Sequence, residues 1–313
     1  MITGTYVVKS GGEIIGEYKN MLTANGLYLI NQFLTGQSQF WADSLAVGAL
    51  SSVSTSSSTA SLQYEMFRYP VIFKTYQTVS GSNQILFKVT VDPLAQFQAY
   101  ELGLFPSRVD TTLFNDHFSI SSFSEFDSGS SKWYVNSTPA STASSNPSPR
   151  NGSALVRLTV STSSTTNTAT INNLTLGTSR YTQNDYIGLL YYCASAIAST
   201  ASIIVTLADS GSTQYTWTAS TTVASAASGN FYSALLPLGA KPDAWTDPAL
   251  AASVQFYGTS GSVHLDHIKF VLGDTLIPEL QLVSRTTSSA ANTPLFTKSY
   301  SQPMDIEYYI QVT

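Results

Sequence analysis

The ten residues QFQAYELGLF, Gln96 to Phe105, decide how this chain is read. They read as a buried strand that closes a first domain. From Leu113 the texture changes: charges thin out, and Ser, Thr, Pro and Asn tracts separate apolar segments at regular intervals. Near Leu282 the first texture returns. This predicts one discontinuous domain, residues 1–112 with 282–313, and a second β domain, residues 113–281, inserted into it.

Towards the N-terminus, Thr3–Lys9 and Glu13–Tyr18 read as two strands around the turn Ser10-Gly11-Gly12. Tyr6 and Val8 alternate with Val7 and Lys9, as a half-buried strand requires. In KNMLTANGLYLINQFLTG, Leu22, Leu27, Ile30 and Leu34 recur at helical spacing, with Met21 and Phe33 beside them. The spacing predicts a helix from Thr23 to Leu34, stopped by Gly36, with Asn25-Gly26 as its weak point. Ser44–Gly48 (SLAVG) is a short buried strand. Ser51–Ala60 is a Ser/Thr loop with too little apolar surface to order itself unaided. Val71–Thr75 and Ile85–Val91 read as paired strands around Ser80-Gly81-Ser82-Asn83.

At the other end, Asp305–Val312 alternates, with Ile306, Tyr308, Ile310 and Val312 on one face. Pro303 bars a continuous ladder from the residues before it. Its partner is therefore expected across the excursion, in FQAYELGLF.

Within 113–281 the strand candidates are Trp133–Val135, Ala154–Ser161, Ala169–Leu174, Tyr186–Ala194, Ser202–Leu207, Thr213–Thr218, Phe231–Leu236, Ala252–Tyr257 and Val263–Leu272. Short strands with turn signals between them are the pattern of a β-sandwich of jelly-roll type. Ser137–Pro149 is a polar surface loop. The fold class is thus mainly β: a small α/β docking domain, one helix on a β-sheet, split by an inserted jelly-roll sandwich.

The 313 residues suffice for two domains, and 43% hydrophobic residues give both a core. Only 11% are charged, the net charge is −5, and no basic cluster follows a phosphate backbone, which argues against nucleic acid. Cys193 is the single cysteine, so no intrachain disulfide forms; within YIGLLYYCASAI it reads as a small buried apolar residue. MITGTYVVKSGGEIIGEY lacks the basic start and apolar run of a signal peptide. No window approaches the ~18 apolar residues of a membrane span. The expectation is synthesis in a host cytoplasm and no membrane insertion.

The first and last segments together resemble a module common in virion proteins of tailed bacteriophages. The residues that carry the resemblance are the helix start KNMLTANGLYLINQFL, the strand LAVG and the Leu62–Glu65–Arg68 step in SLQYEMFRYP. AYELGLF and a tail of the form LVSR, FTK and MDIEYYIQV complete it. Order and spacing both match. The Ser/Thr tract at 51–60 is longer than the family pattern, and the excursion interrupts it before the tail. The resemblance implies a non-enzymatic virion component: a baseplate, tail-fibre or capsid-decoration part. Its implied partners are other virion proteins and its own copies, as a homotrimer. Tyr308 and Phe97 are expected to expose the apolar patches through which copies meet. No collagen-like or β-helical repeat is present, so a long fibre shaft is not expected. The excursion is similar to the jelly rolls of carbohydrate-binding modules, through SKWYV, NGSALVRLTV, DAWTDPAL and VHLDHIKFVLGD. That likeness implies a host surface glycan as a further partner, and a host-receptor recognition protein as the alternative reading.

His264, Asp266 and His267 are the densest cluster of ligand-type residues. Strand alternation places His264 and Asp266 on one face and His267 on the other. A transition metal wants three or four converging ligands, which this pattern does not supply. In the jelly rolls that the excursion resembles, the Asp of a final LDxI strand helps hold a structural calcium. This makes Asp266, with Asp127 or Asp116, the candidate calcium ligands; the competing use of Asp266 is a turn interaction at an edge strand. No other cofactor is implied.

Trp133, Trp217 and Trp245 are suited either to stacking on sugar rings or to filling a core. The first two sit inside strands and are assigned to the core. Trp245, in the loop KPDAWTDPAL, is the candidate glycan-binding residue. Glu101 and Glu65 are read as carboxylates paired with an arginine such as Arg68 or Arg285. No G-x-S-x-G, H-E-x-x-H, phosphate loop or dinucleotide fingerprint occurs, so no catalytic residue is assigned.

Overall fold

The computed structural model describes residues 2–37, 42–51, 57–59, 61–79, 81–106, 133–135, 138–139, 147–152, 155–179, 181–197, 200–209, 216–223, 227–271, 273 and 281–312. In chain order the first elements are β1 (Ile2–Ser10), β2 (Glu13–Lys19), β3 (Met21–Leu22), helix α1 (Ala24–Leu34), β4 (Ser44–Gly48), β5 (Glu65–Pro70), β6 (Phe73–Val79), β7 (Ser82–Val91), β8 (Phe97–Ala99) and β9 (Glu101–Phe105). Then come β10 (Trp133–Val135), β11 (Thr138–Pro139), β12 (Val156–Val160), β13 (Thr166–Leu176), β14 (Tyr186–Cys193), β15 (Ser202–Ala208), β16 (Thr216–Thr222), β17 (Asn230–Pro237), β18 (Ala249–Tyr257) and β19 (Gly261–Val271). The last are β20 (Ser284–Thr287), β21 (Phe296–Lys298) and β22 (Met304–Val312). The protein is mainly β, and the chain divides into two compact units, Met1–Asn115 with Thr275–Thr313, and Asp116–Asp274.

In the first unit, one sheet runs β2-β1-β22-β7-β6 and another β3-β20-β9-β4-β5; β21 and β8 form a small third ladder. The rows of the first sheet explain why these strands choose each other. Tyr6, Tyr308 and Phe87 stand in one row, and Val8, Ile306 and Val89 in the next. All six are buried. Tyr6 and Tyr308 lie 4.6 Å apart, ring to ring. On the opposite face, Lys9 pairs with Glu307 and Lys88 with Asp305, both at 2.7 Å. One face is apolar and the other is laced with cross-strand ion pairs.

Four sequence expectations change here. The C-terminal strand does not pair with FQAYELGLF; β22 lies between β1 and β7. Both sides of β9 are already taken, by β4 and β20. Second, Gln96–Phe105 is not one strand. Its burial shifts phase at Tyr100, whose N–H donates to the Gly48 carbonyl, and the chain passes from the β21–β8 ladder into the β9 sheet. Third, the hairpin of β6 and β7 closes at Val79 and Ser82, so both strands reach further than their apolar residues indicate. Fourth, Tyr308 and Phe97 are core residues and expose no patch.

Helix α1 starts where expected, with Thr23 as its cap: the Thr23 hydroxyl accepts the Gly26 N–H at 3.0 Å. Its docked face differs from the spaced apolar stripe. Gly26 and Leu29 are buried, whereas Leu27 and Leu34 are 47% and 75% exposed. Gly26 explains the choice. A Cβ at this position would stand 2.2 Å from the Val283 carbonyl oxygen, so only glycine lets the helix approach that backbone.

The second unit is a sandwich of two antiparallel sheets, β11-β10-β13-β18-β15-β16 and β12-β19-β14-β17. From β12 to β19 the chain changes sheet at nearly every connection, as in a jelly roll. The space between the sheets is filled by Leu158, Ile171, Leu189, Ile203, Val254 and Phe256, among others.

Candidate functional site

In β19 the sequence VHLDHIKFV carries its own irregularity. Val263 and Leu265 face the core, and so do Ile268 and Phe270. Even alternation cannot place both pairs inward without one extra residue between them. The ladder supplies it: Tyr191 pairs with Leu265, Leu190 with His267, and Asp266 is left over as a bulge. His264 and His267 therefore both sit opposite the core-facing residues, which corrects the expectation that His267 points away from His264.

Asp266 is fully buried. One carboxylate oxygen accepts the Arg150 N–H at 2.9 Å and the other the Asn151 N–H at 3.2 Å. Burial pushes its pKa up to about 7, against the partial pull of those two N–H groups and the Arg150 charge. The Arg150 guanidinium lies over the Phe231 ring at 4.3 Å. Asp266 thus fastens the chain at 150–151 to the bulge in the manner of a turn interaction. Burial, and then Arg157, hold the His264 pKa below its usual value. Both His264 ring nitrogens lack a hydrogen-bond partner among the described residues, and the ring lies 5.8 Å from Tyr192. Among the described residues no group of three or more His, Cys, Asp or Glu side chains converges on a metal position. Asp127 and Asp116 lie outside the described residues. The oxygens of Asp266 face N–H donors, an arrangement that does not suit a calcium ion.

Trp245 is half-buried against the sandwich core. Its indole N–H donates to the Thr178 hydroxyl at 2.9 Å, and its ring meets Trp217 edge-on at 6.0 Å. Thr178 in turn donates to Asp247, and its carbonyl accepts the Lys241 ammonium at 2.7 Å. This network was not foreseeable from spacing, because Lys241, Trp245 and Asp247 lie 63 to 69 residues from Thr178. Trp217 is a core residue whose N–H reaches the Gly239 carbonyl at 2.7 Å. The backbone of Trp133 lies in β10.

Two buried glutamates of the first unit are each held by an arginine. Arg68 grips Glu65 through two 2.7 Å hydrogen bonds and lies over the Phe105 ring at 3.6 Å. Glu101 is buried against Arg285 and accepts the Gln63 N–H at 2.8 Å. Burial raises its pKa, opposed by Arg285 and that N–H. Lys298, a lone cation in FTK, is buried and donates to the carbonyls of Pro93, Ala95 and Ser299. Cys193 is buried and its thiol is pushed up to about 12, an unreactive state at neutral pH. No helix among the described residues is long and apolar enough to cross a membrane.

No family model matches the chain, and no curated protein matches it. Solved structures overlap it in part. A carbohydrate-binding module specific for non-crystalline cellulose is 15% identical, covers 45% of this chain and 87% of its own, and has a TM-score of 0.30. A carbohydrate-binding module of the β-sandwich superfamily is 9% identical, with 64% and 96% covered and a TM-score of 0.31. The enzymatically active domain of tailspike protein 4 of bacteriophage CBA120 is 13% identical, with 45% and 19% covered and a TM-score of 0.29. At such scores these likenesses assign no function.

Proposed function

We propose that this chain is a non-enzymatic structural component of a phage particle, of the attachment, decoration or baseplate kind. The first unit docks on other virion proteins, and the sandwich is the displayed part. One observation carries the reading: the motifs on which the resemblance rests all fold into the first unit and act on one another. The helix start sits on Val283 of LVSR. The Glu65–Arg68 pair lies under Phe105 at the end of AYELGLF. Glu101 of that motif meets Arg285 of LVSR. FTK pairs with FQA, and MDIEYYIQV fills the middle of the first sheet. The Glu65–Arg68 and Glu101–Arg285 pairs are engaged in holding this scaffold together. The test is electron microscopy of purified particles with an antibody against this chain. Label at a fixed position supports the reading, and unlabelled particles sink it.

Glycan recognition by the sandwich is the second reading, favoured by the partly exposed ring of Trp245. A glycan array with the full chain and with Trp245→Ala tests it. Binding that the substitution abolishes supports it; no binding at millimolar sugar sinks it.

A further inference from the structure

The β2-β1-β22-β7-β6 sheet ends differently on its two sides. The β2 edge carries Glu13, Glu17 and Lys19, and its ladder is bulged at Val8/Lys9. Charges and bulges are devices that keep a further strand from joining. The other edge, β6 (FKTYQTV), has one charge, Lys74, which is paired with Asp43. Beside Lys74 and Thr78 it exposes three residues that favour strands, Phe73, Tyr76 and Val79, at 50%, 64% and 45%.

The backbone phase is equally specific. Val79 pairs with Ser82 across a two-residue turn, which makes them a hydrogen-bonded pair. Alternating back from there, Gln77, Thr75 and Phe73 turn their N–H and C=O groups to β7. Thr78, Tyr76 and Lys74 turn theirs outward.

We propose that this edge binds a second copy of the chain, the two β6 strands running antiparallel with Tyr76 opposite Tyr76. In this register Lys74 faces Thr78 and Phe73 faces Val79. Each outward group meets an outward group of the other copy, and apolar side chains meet apolar ones. Charge selects the register. Sliding the strands until Lys74 faces Lys74 sets like charges opposite each other, and sliding toward the turn shortens the ladder. The β6 strands bring no carboxylate of their own to the contact, although each chain carries a net −5. The contact is isologous and twofold, and it adds strand to strand rather than relying on buried area. It depends on neither the particle reading nor the sugar reading.

Sedimentation of the full chain at micromolar concentration is expected to give about twice the 33.6 kDa chain mass. Tyr76→Lys and Tyr76→Glu, each placing like charges at the twofold axis, are expected to be monomeric with unchanged circular dichroism. An equimolar mixture of the two restores the dimer. In a second arm, Thr78→Glu sets a carboxylate opposite Lys74 and tightens the dimer several-fold. A monomeric wild type, an oligomer that survives Tyr76→Lys, a mixture that stays monomeric, or weakening by Thr78→Glu would each overturn the proposal.

Discussion

Arg285 and Glu101 face each other inside the first unit, and neither side chain reaches solvent. They join β20 to β9, the strands on either side of the long excursion. An ion pair so placed gives little net stability over an apolar pair of the same shape, yet removing one partner strands a buried charge. Arg285→Met is therefore expected to destabilise the first unit by about 3–5 kcal/mol. The double variant Arg285→Met/Glu101→Leu should recover much of that loss. Denaturant titrations of the single and double variants measure it. Additive losses would show that the two residues do not act as a pair.

The alternation of Ile306, Tyr308 and Ile310 was legible in sequence because burial on one face of a strand leaves a period of two. Its neighbours were not. An apolar face fits any apolar face, and register among β1, β7 and β9 is decided by which strands already have both edges filled. The helix was legible from spacing and from Thr23, but its docked side was set by Gly26, where the absence of a side chain matters more than apolar character. The skip from Val263 and Leu265 to Ile268 and Phe270 is the signal of the bulge, and strict alternation, which put His267 on the other face, passed over it. What Asp266 holds there was not readable, because its partners are backbone N–H groups about 115 residues away.

Ile306 is fully buried in the central strand of its sheet, between Val8 and Val89. Burying such a side chain stabilises by roughly 1.5–3 kcal/mol, and an aspartate there adds an unpaired buried charge. Ile306→Asp is expected to unfold the first unit, and Ile310→Asp to do the same. The sandwich has its own core and should keep a cooperative transition. Calorimetry of each variant should show the sandwich transition alone. A variant with both transitions intact would show that β22 is dispensable.

Asp266 gives the sandwich a pH dependence whose sign is fixed by its raised pKa. The folded state holds its proton up to about pH 7, whereas the reference carboxyl loses it near 3.8. The contribution to stability is full below 3.8 and is lost as pH rises through about 7. His264 acts in the opposite sense: its lowered pKa gives a contribution present above 6.5 and lost as pH falls through the folded value. Comparing wild type with Asp266→Asn isolates the carboxylate. From pH 8 to pH 5 the wild-type sandwich should gain about 3 kcal/mol relative to the variant. Parallel melting profiles across that range would rule the effect out.

Ser284 lies directly opposite Leu104 in the β9–β20 ladder, and the Val283 N–H donates to the Leu104 carbonyl at 2.7 Å. The chain therefore leaves and re-enters the first unit on adjacent antiparallel strands, a spacing of about 5 Å that a tight turn spans. Deleting Leu113–Gln281 and joining the ends with a short Gly/Ser linker should turn β9 and β20 into a hairpin. The Phe105, Ala46, Leu62 and Leu282 cluster lies wholly within the retained residues, as do both Glu–Arg pairs. Shortening the loop also reduces the closure entropy that the intact chain loses on folding, by ~0.6 kcal/mol for each halving of length. The remainder is expected to be soluble, with a β-type circular dichroism spectrum and dispersed amide resonances. A remainder that is unfolded while the intact chain is folded would mean that the first unit depends on the sandwich for its stability, and the division into two independent cores would fail.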